Sequence, residues 1–316
     1  MYRSRASGWP HSRPIDVPFE LNSTSWQARG LVAWWPLRGY GQMAGHDYAR
    51  GAHMTPWNLP TFVCDPLYGQ VTKLNGSTQY WQVASAALTG TPLTLACWFR
   101  STTITANQGM VWIGDGTVNN SYWMLYAGGG ISGDPVCAYS IGGVNSGYAK
   151  TSAGYGANVW NHAAGVYHHA TSRAAFLNGR YKGTSATSIS PPTINRMAAG
   201  RDAKSGPGMY FNGSLADVRV YNRALCDAEI MELADPAARW QLYRPTIRFW
   251  VVQEIIRQKT VDLTLAQRSL DLTVDKRSLD LMVGTRSLDL TVVQRSLDLT
   301  VRPRSLDLTV QEGRPG

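Results

Sequence analysis

Phe211-Asn212-Gly213-Ser214-Leu215-Ala216-Asp217-Val218-Arg219-Val220-Tyr221-Asn222-Arg223-Ala224-Leu225 decides the fold. Val218 and Val220 alternate with Asp217 and Arg219, so the segment reads as a strand with one apolar face. The same period returns upstream, where Leu93, Leu95, Cys97 and Phe99 alternate with Thr94, Ala96, Trp98 and Arg100. Gly- and Asn-rich turns separate such runs along residues 29–235, and Asn178-Gly179 is a hairpin turn of the favoured kind. Many short strands with regular turns predict a two-sheet antiparallel sandwich, an all-β fold. Composition agrees: 31 Gly, 12 Trp and 15 Tyr among 316 residues suit strands and tight turns.

Several of these strands resemble, in order, segments of one family. Gly30-Leu31-Val32-Ala33-Trp34-Trp35-Pro36-Leu37 is similar to the opening strand of the LamG-like jelly-roll family, within the concanavalin A-like lectin/glucanase superfamily. Lys73–Tyr80, Leu93–Arg100, Trp160–Tyr167 and Ala175–Gly179 resemble its inner segments, and Phe211–Leu225 resembles its closing strand. Asp227–Leu233 resembles its short terminal helix, for which Asp227 is the expected cap and Asp235-Pro236 the stop. The resemblance implies a jelly-roll sandwich serving as a recognition or structural module. The chain departs from the family pattern at Ala216, usually acidic, and at residues 47–53, which replace a characteristic acidic turn. Asp47, Asp202 and Asp217, with Asn212, are the candidate calcium ligands.

Catalytic patterns are scarce. Related glucanases carry Glu-x-Asp-x-Glu on one strand as nucleophile and general acid. Here the first 245 residues hold Glu20, Glu229 and Glu232 alone, so a retaining glycosidase is disfavoured. There is no Gly-x-Ser-x-Gly elbow, and Gly128-Gly129-Gly130 opens no helix. Cys64, Cys97, Cys137 and Cys226 stand too far apart for a zinc pair and are expected as free thiols. His162 and His168 share a strand face, and their plainest reading is structural. Sugar binding needs less: exposed rings to stack on, and a few fixed polar groups. The loops at 115–122, 126–134, 144–156 and 201–212 supply Tyr122, Tyr126, Tyr148, Tyr155, Arg201 and Tyr210 as the expected glycan-binding residues.

Outside the sandwich, residues 1–28 carry Pro10, Pro14 and Pro18 and read as an extended arm. Residues 236–258 read as a connector. Residues 259–316 repeat with period nine: Arg268, Arg277, Arg286, Arg295 and Arg304 each begin Arg-Ser-Leu-Asp-Leu-(Thr/Met)-Val, and a degenerate unit precedes them at Lys259. Leu, Leu and Val alternate with Ser, Asp and Thr, so each unit is a strand with one apolar face. One unit buries too little to be stable alone, so the strands must pair. An antiparallel meander would set Asp271 opposite Asp280, an unfavourable like-charge pair. Shifted registers, pairing between chains or a bound cation would relieve this, and pairing between chains is the favoured reading. A meander folded on the main domain and a mostly unstructured tail remain the alternatives.

Net charge is +9, with Lys and Arg spread along the chain rather than clustered, which disfavours nucleic acid as a partner. No apolar run reaches eighteen residues, so no membrane-spanning helix is expected. The N-terminus lacks the apolar core of a secretory signal. An arm, a jelly roll and a fibrous repeat without a signal fit a non-catalytic structural or adhesion protein of a virus or phage particle. Its expected partners are further copies of itself, with a trimer favoured, other virion proteins and surface glycans. The alternative is a soluble, extracellular lectin-like protein.

Overall fold

The computed structural model describes residues 19–39, 41–66 and 68–245, and the five segments 271–274, 280–283, 289–292, 298–301 and 307–310. The expected arm, apart from its last residues, and most of the connector lie outside the described residues. The chain divides into two compact units, 1–248 and 249–316.

In chain order the first unit contains β1 (Phe19–Leu21), β2 (Leu31–Trp35), β3 (Thr55–Trp57), β4 (Thr61–Asp65), β5 (Gly69–Asn75) and β6 (Tyr80–Val83). β7 (Leu93–Ser101), β8 (Asn107–Gly114), β9 (Ser121–Gly128), β10 (Pro135–Gly142), β11 (Asn145–Gly154) and β12 (Asn161–His169) follow. Then come β13 (Ser172–Leu177), β14 (Tyr181–Ser185), β15 (Arg196–Ala199), β16 (Asn212–Tyr221), helix α1 (Asp227–Leu233) and β17 (Tyr243–Pro245). A seven-stranded sheet runs β11-β10-β9-β8-β15-β6-β3; an eight-stranded sheet runs β14-β13-β12-β7-β16-β5-β4, with β2 beside β16. Every pairing in the two sheets is antiparallel. This is the jelly-roll sandwich that the alternating strands predict.

The alternation sets the layers. Leu93, Leu95, Cys97 and Phe99 of β7 point into the main core, with Trp35, Trp81, Trp123 and Val218. Their neighbours face the other way: Ala96 packs with Trp34, Tyr221, Ile230, Leu233 and Tyr243 in a second cluster. That cluster covers the back of the eight-stranded sheet with α1, β1 and β17. β1 and β17 pair with each other, and the Gln27 amide donates to the Ala238 carbonyl at 2.7 Å, so the unit takes in residues on both sides of 29–235. Asn178 and Gly179, both at positive φ, turn β13 into β14 as expected. The cap of α1 is Cys226 rather than Asp227; Asp227 begins the first turn. Glu229 reaches back to accept the Cys226 N–H at 2.9 Å, and that carboxylate fixes the start one residue earlier. All four cysteines are free thiols.

The second unit holds β18 (Asp271–Val274), β19 (Asp280–Val283), β20 (Asp289–Val292), β21 (Asp298–Val301) and β22 (Asp307–Val310). Its pairing is neither a meander nor antiparallel. β18, β20 and β22 form one parallel sheet and β19 and β21 another. Leu272 aligns with Leu290 and Leu290 with Leu308. The pairing step is therefore two units, or 18 residues. Consecutive units alternate between sheets, so Asp271 and Asp280 are never paired; the in-register neighbours are Asp271, Asp289 and Asp307.

Candidate functional site

The three candidate calcium ligands hold the fold in separate ways. Asp47 accepts four backbone N–H groups, from Trp34 (2.8 Å), Ala49 (2.9 Å), Arg50 (3.2 Å) and Ala52 (2.8 Å), which spends both oxygens on folding its own turn. Asp217 sits at a β-bulge of β16 with φ +54, which turns its carboxylate into the back cluster. There it meets Arg239 Nε at 2.8 Å and Arg219 Nη2 at 3.4 Å, and accepts from Trp34 Nε1 and the Tyr243 hydroxyl. Burial pushes this carboxyl up, but the two guanidiniums and two donors outweigh burial and hold it at about 2. Asp202, fully buried, pairs with Lys204 at 2.8 Å and accepts the Gly208 N–H. The expected calcium set is thus dispersed, and among the described residues no group of three or more His, Cys, Asp or Glu could hold a metal. Asp115 is likewise structural: Thr117 and Thr193 donate to it at 2.6 Å each, and these bonds hold it well below the ordinary carboxylate range.

The expected glycan-binding residues divide. Loops 115–122 and 201–212 do meet: Gly206 N–H donates to Asn119 Oδ1 at 2.7 Å, and Ser205 N–H to the Val118 carbonyl at 3.2 Å. Together with Gly109 N–H to the Met209 carbonyl, these bonds lay residues 201–210 as a flap over the outer face of the seven-stranded sheet. Gly109 permits the crossing, because a Cβ there would stand 2.8 Å from the Arg201 carbonyl carbon. Tyr122 and Tyr126 lie beneath the flap in a buried cluster with Trp112, Met124 and Cys137. Tyr155 is buried in the main core against Phe99. None of these three rings presents a free face. Tyr148 is exposed, but on β11, the far edge of the sheet.

Arg201 and Tyr210 sit at the other end with residues that sequence reasoning missed. One cross-strand row runs Thr55–Gln82–Ala198–Trp112–Met124–Tyr139–Tyr148 across all seven strands. At its β3–β6 end, Arg201 lies 3.6 Å over the Tyr80 ring and donates to Gln82 Oε1 at 3.0 Å and the Tyr210 hydroxyl at 3.2 Å. Trp57, 45% exposed, stacks on Tyr80 with centroids 5.5 Å apart and planes within 10°. Five strand spacings of about 4.8 Å put Tyr148 roughly 24 Å from Gln82. The signal for the missed residues was the alternation Tyr80-Trp81-Gln82-Val83; it separates two faces without saying which is outside. Beside the platform, Thr55 also lines an open cavity of about 250 Å³ with Gln42, Met43, His46, His53 and Met54. His46 and His53 stack there at 4.3 Å, and burial and His53 lower the His46 imidazole. The arrangement offers an exposed ring, fixed amide and hydroxyl groups, a guanidinium and an adjoining hollow: the parts for holding a sugar.

No curated protein matches this sequence. Solved structures share its fold. Domain 4 of AbnA, an extracellular arabinanase from Geobacillus stearothermophilus solved with arabinotriose, aligns at 16% identity and TM-score 0.52, over 65% of this chain and 98% of that one. The binding domain of Paraclostridial Mosquitocidal Protein 1 aligns at 12% and TM-score 0.51, over 66% of this chain and 52% of that one. The sialidase CBM40 of Ruminococcus gnavus aligns at 20% and TM-score 0.40, over 46% and 84%. Residues 75–231 match the concanavalin A-like lectin/glucanases superfamily, whose lectin-like fold the two sheets reproduce.

Proposed function

We propose that the first unit is a non-catalytic carbohydrate-recognition module, and that its binding face is the Trp57–Tyr80–Gln82–Arg201–Tyr210 platform. The observation that carries this is Trp57: a large ring left in water at a sheet edge, held flat by Tyr80 and bordered by immobilised polar groups. A sugar ring stacks on such a surface while neighbouring amide, hydroxyl and guanidinium groups orient its hydroxyls. The superfamily match and the arabinotriose-bound domain of the same fold support the reading. The acids argue in the same direction. Asp47, Asp115, Asp202 and Asp217 are committed to backbone amides, hydroxyls or cations, and Glu229 and Glu232 belong to α1 on the opposite sheet. Calorimetry against a panel of oligosaccharides tests it. Binding to the intact chain that falls at least tenfold in Trp57→Ala, with the fold unchanged, supports the module; binding unaltered by that change removes the platform.

The repeats carry a second reading, of the chain as a whole: a homo-oligomeric structural or adhesion component of a virus or phage particle, a trimer favoured, with the repeats as its assembly segment. In-register parallel strands, whose outer edges pair with no other strand among the described residues, are the observation behind it. Light scattering of the full chain against residues 1–248 is the test, and a monomeric full chain counts against it. Cryo-imaging of particles that carry the tagged chain tests the location.

A further inference from the structure

Arg201 of the platform and its neighbour Arg196 pair with no carboxylate among the described residues. Arg201 is 7% exposed, yet its partners are neutral: the Tyr80 ring, the Gln82 amide oxygen and the Tyr210 hydroxyl. Nη1 and Nη2 each spend one hydrogen there, and Nε donates to nothing. Arg196, on the neighbouring strand β15, extends over Gly116, where a Cβ would stand 2.3 Å from its Cζ. Its side chain makes no hydrogen bond or ion pair among the described residues, and its Nε is also buried without an acceptor. Arg196 lies two residues from Ala198 on the same face of β15, and Ala198 is the cross-strand partner of Gln82, to which Arg201 donates. Of the nearby acids, Asp202 is paired with Lys204, and Asp115, next to Gly116, accepts from Thr117, Thr193 and Asn195.

Several other guanidiniums are met by an acid or by backbone carbonyls. Arg219 and Arg239 share Asp217, Arg223 holds Glu229 and Arg100 holds Asp65. Arg173 is tied to the backbone carbonyls of Ala170 and Thr187. A sequestered guanidinium is costly without an opposite charge, and its planar fork suits a carboxylate or sulfate. Two such groups around one stacking platform leave the counter-charge to be supplied from outside.

We propose that the platform is selective for acidic sugars, whose carboxylate or sulfate ester is received between Arg201 and Arg196 while the sugar ring rests on Trp57. This rests on the carbohydrate-binding reading and narrows it to a ligand class. The experiment uses the full chain and short ligands, because net charge alone draws long polyanions: a hexuronate trisaccharide, a sulfated trisaccharide and the neutral hexose trisaccharide. The expected result is at least tenfold tighter binding of an acidic ligand than of the neutral one. Arg196→Gln, at a half-buried position, and Arg201→Gln should erase that preference, while Arg180→Gln on an exposed turn keeps it. Arg201→Lys should restore little, because a point charge lacks the fork. Each variant is first checked by thermal unfolding, and Arg196→Gln stands alone if Arg201→Gln does not fold. Neutral and acidic ligands bound equally, or a preference that survives Arg196→Gln, overturns the inference and leaves the module intact. No binding of any of the three overturns both.

Discussion

At the scale of single residues, the buried ionisable groups set how the sandwich responds to acid. His162 is buried on β12, and burial, with Arg219, drops its imidazole to about 3. An unfolded histidine takes a proton near pH 6.5, so the unfolded state binds more protons between about 6.5 and 3. That contribution to stability is complete above about 6.5 and drains as pH falls. Asp217 adds a second stage, since its carboxylate contribution is full above about 4 and is lost as pH falls toward 2. Urea titrations from pH 7.5 to 4 should show the midpoint falling, and His162→Gln should flatten that slope. Asp217→Asn leaves Arg219 and Arg239 without their shared acid and should cost about 3 kcal/mol or more at neutral pH. Trp57→Ala should cost less, about 1–2 kcal/mol for the buried half of the ring and its stack on Tyr80, while weakening binding at least tenfold. The sequence marked Asp217 as special through its place in the closing strand. It could not show that the bulge turns the carboxylate onto two arginines, one of them twenty-two residues away. Nor could it rank the aromatic rings, because whether Tyr122 or Trp57 keeps a free face depends on where a distant loop comes to rest.

Among the elements, the flap at residues 201–210 decides what the seven-stranded sheet shows to solvent. It seals Tyr122, Tyr126 and Trp112 and leaves the β3–β6 end open. Its crossing point is Gly109, so Gly109→Val should lift the flap and cost about 1–3 kcal/mol as overpacking. Limited proteolysis would then cut within 201–210, and ligand binding would weaken because Arg201 moves with the strand of the flap that crosses there. Tyr148→Ala should leave binding unchanged, a calorimetric contrast to Trp57→Ala. The strands themselves were readable: the period-two runs of β7 and β16 fixed their buried faces, and Asn178-Gly179 announced its hairpin. Loops 115–122 and 201–212 were named only as separate candidates, and their contact through Asn119 and Gly206 was not foreseen. What period two cannot supply is the order of strands in a sheet, and that order brings Gln82 of β6 beside Ala198 of β15.

For the whole molecule, recognition and assembly are assigned to different stretches of chain, so they should separate on cutting. Residues 1–248 should bind an oligosaccharide with the same affinity per chain as the full protein, and should run as a monomer in light scattering where the full chain runs larger. The repeat was the plainest regularity in the sequence, yet its partner step stayed hidden, because a period of nine fits pairing with the next unit and with the next but one equally well. The like-charge clash argued against a meander, yet the two-unit step exchanges it for another, since Asp271, Asp289 and Asp307 stand in register. That step has a consequence for heredity. Replication slippage on such a gene gains or drops whole units, and a lost unit moves every later one to the opposite sheet. Since the units are nearly interchangeable, each arrives beside a neighbour like the one it left. Copy number can therefore drift between lineages without a frame of pairing to break, and each 18 residues gained would lengthen the stack by only about 4.8 Å.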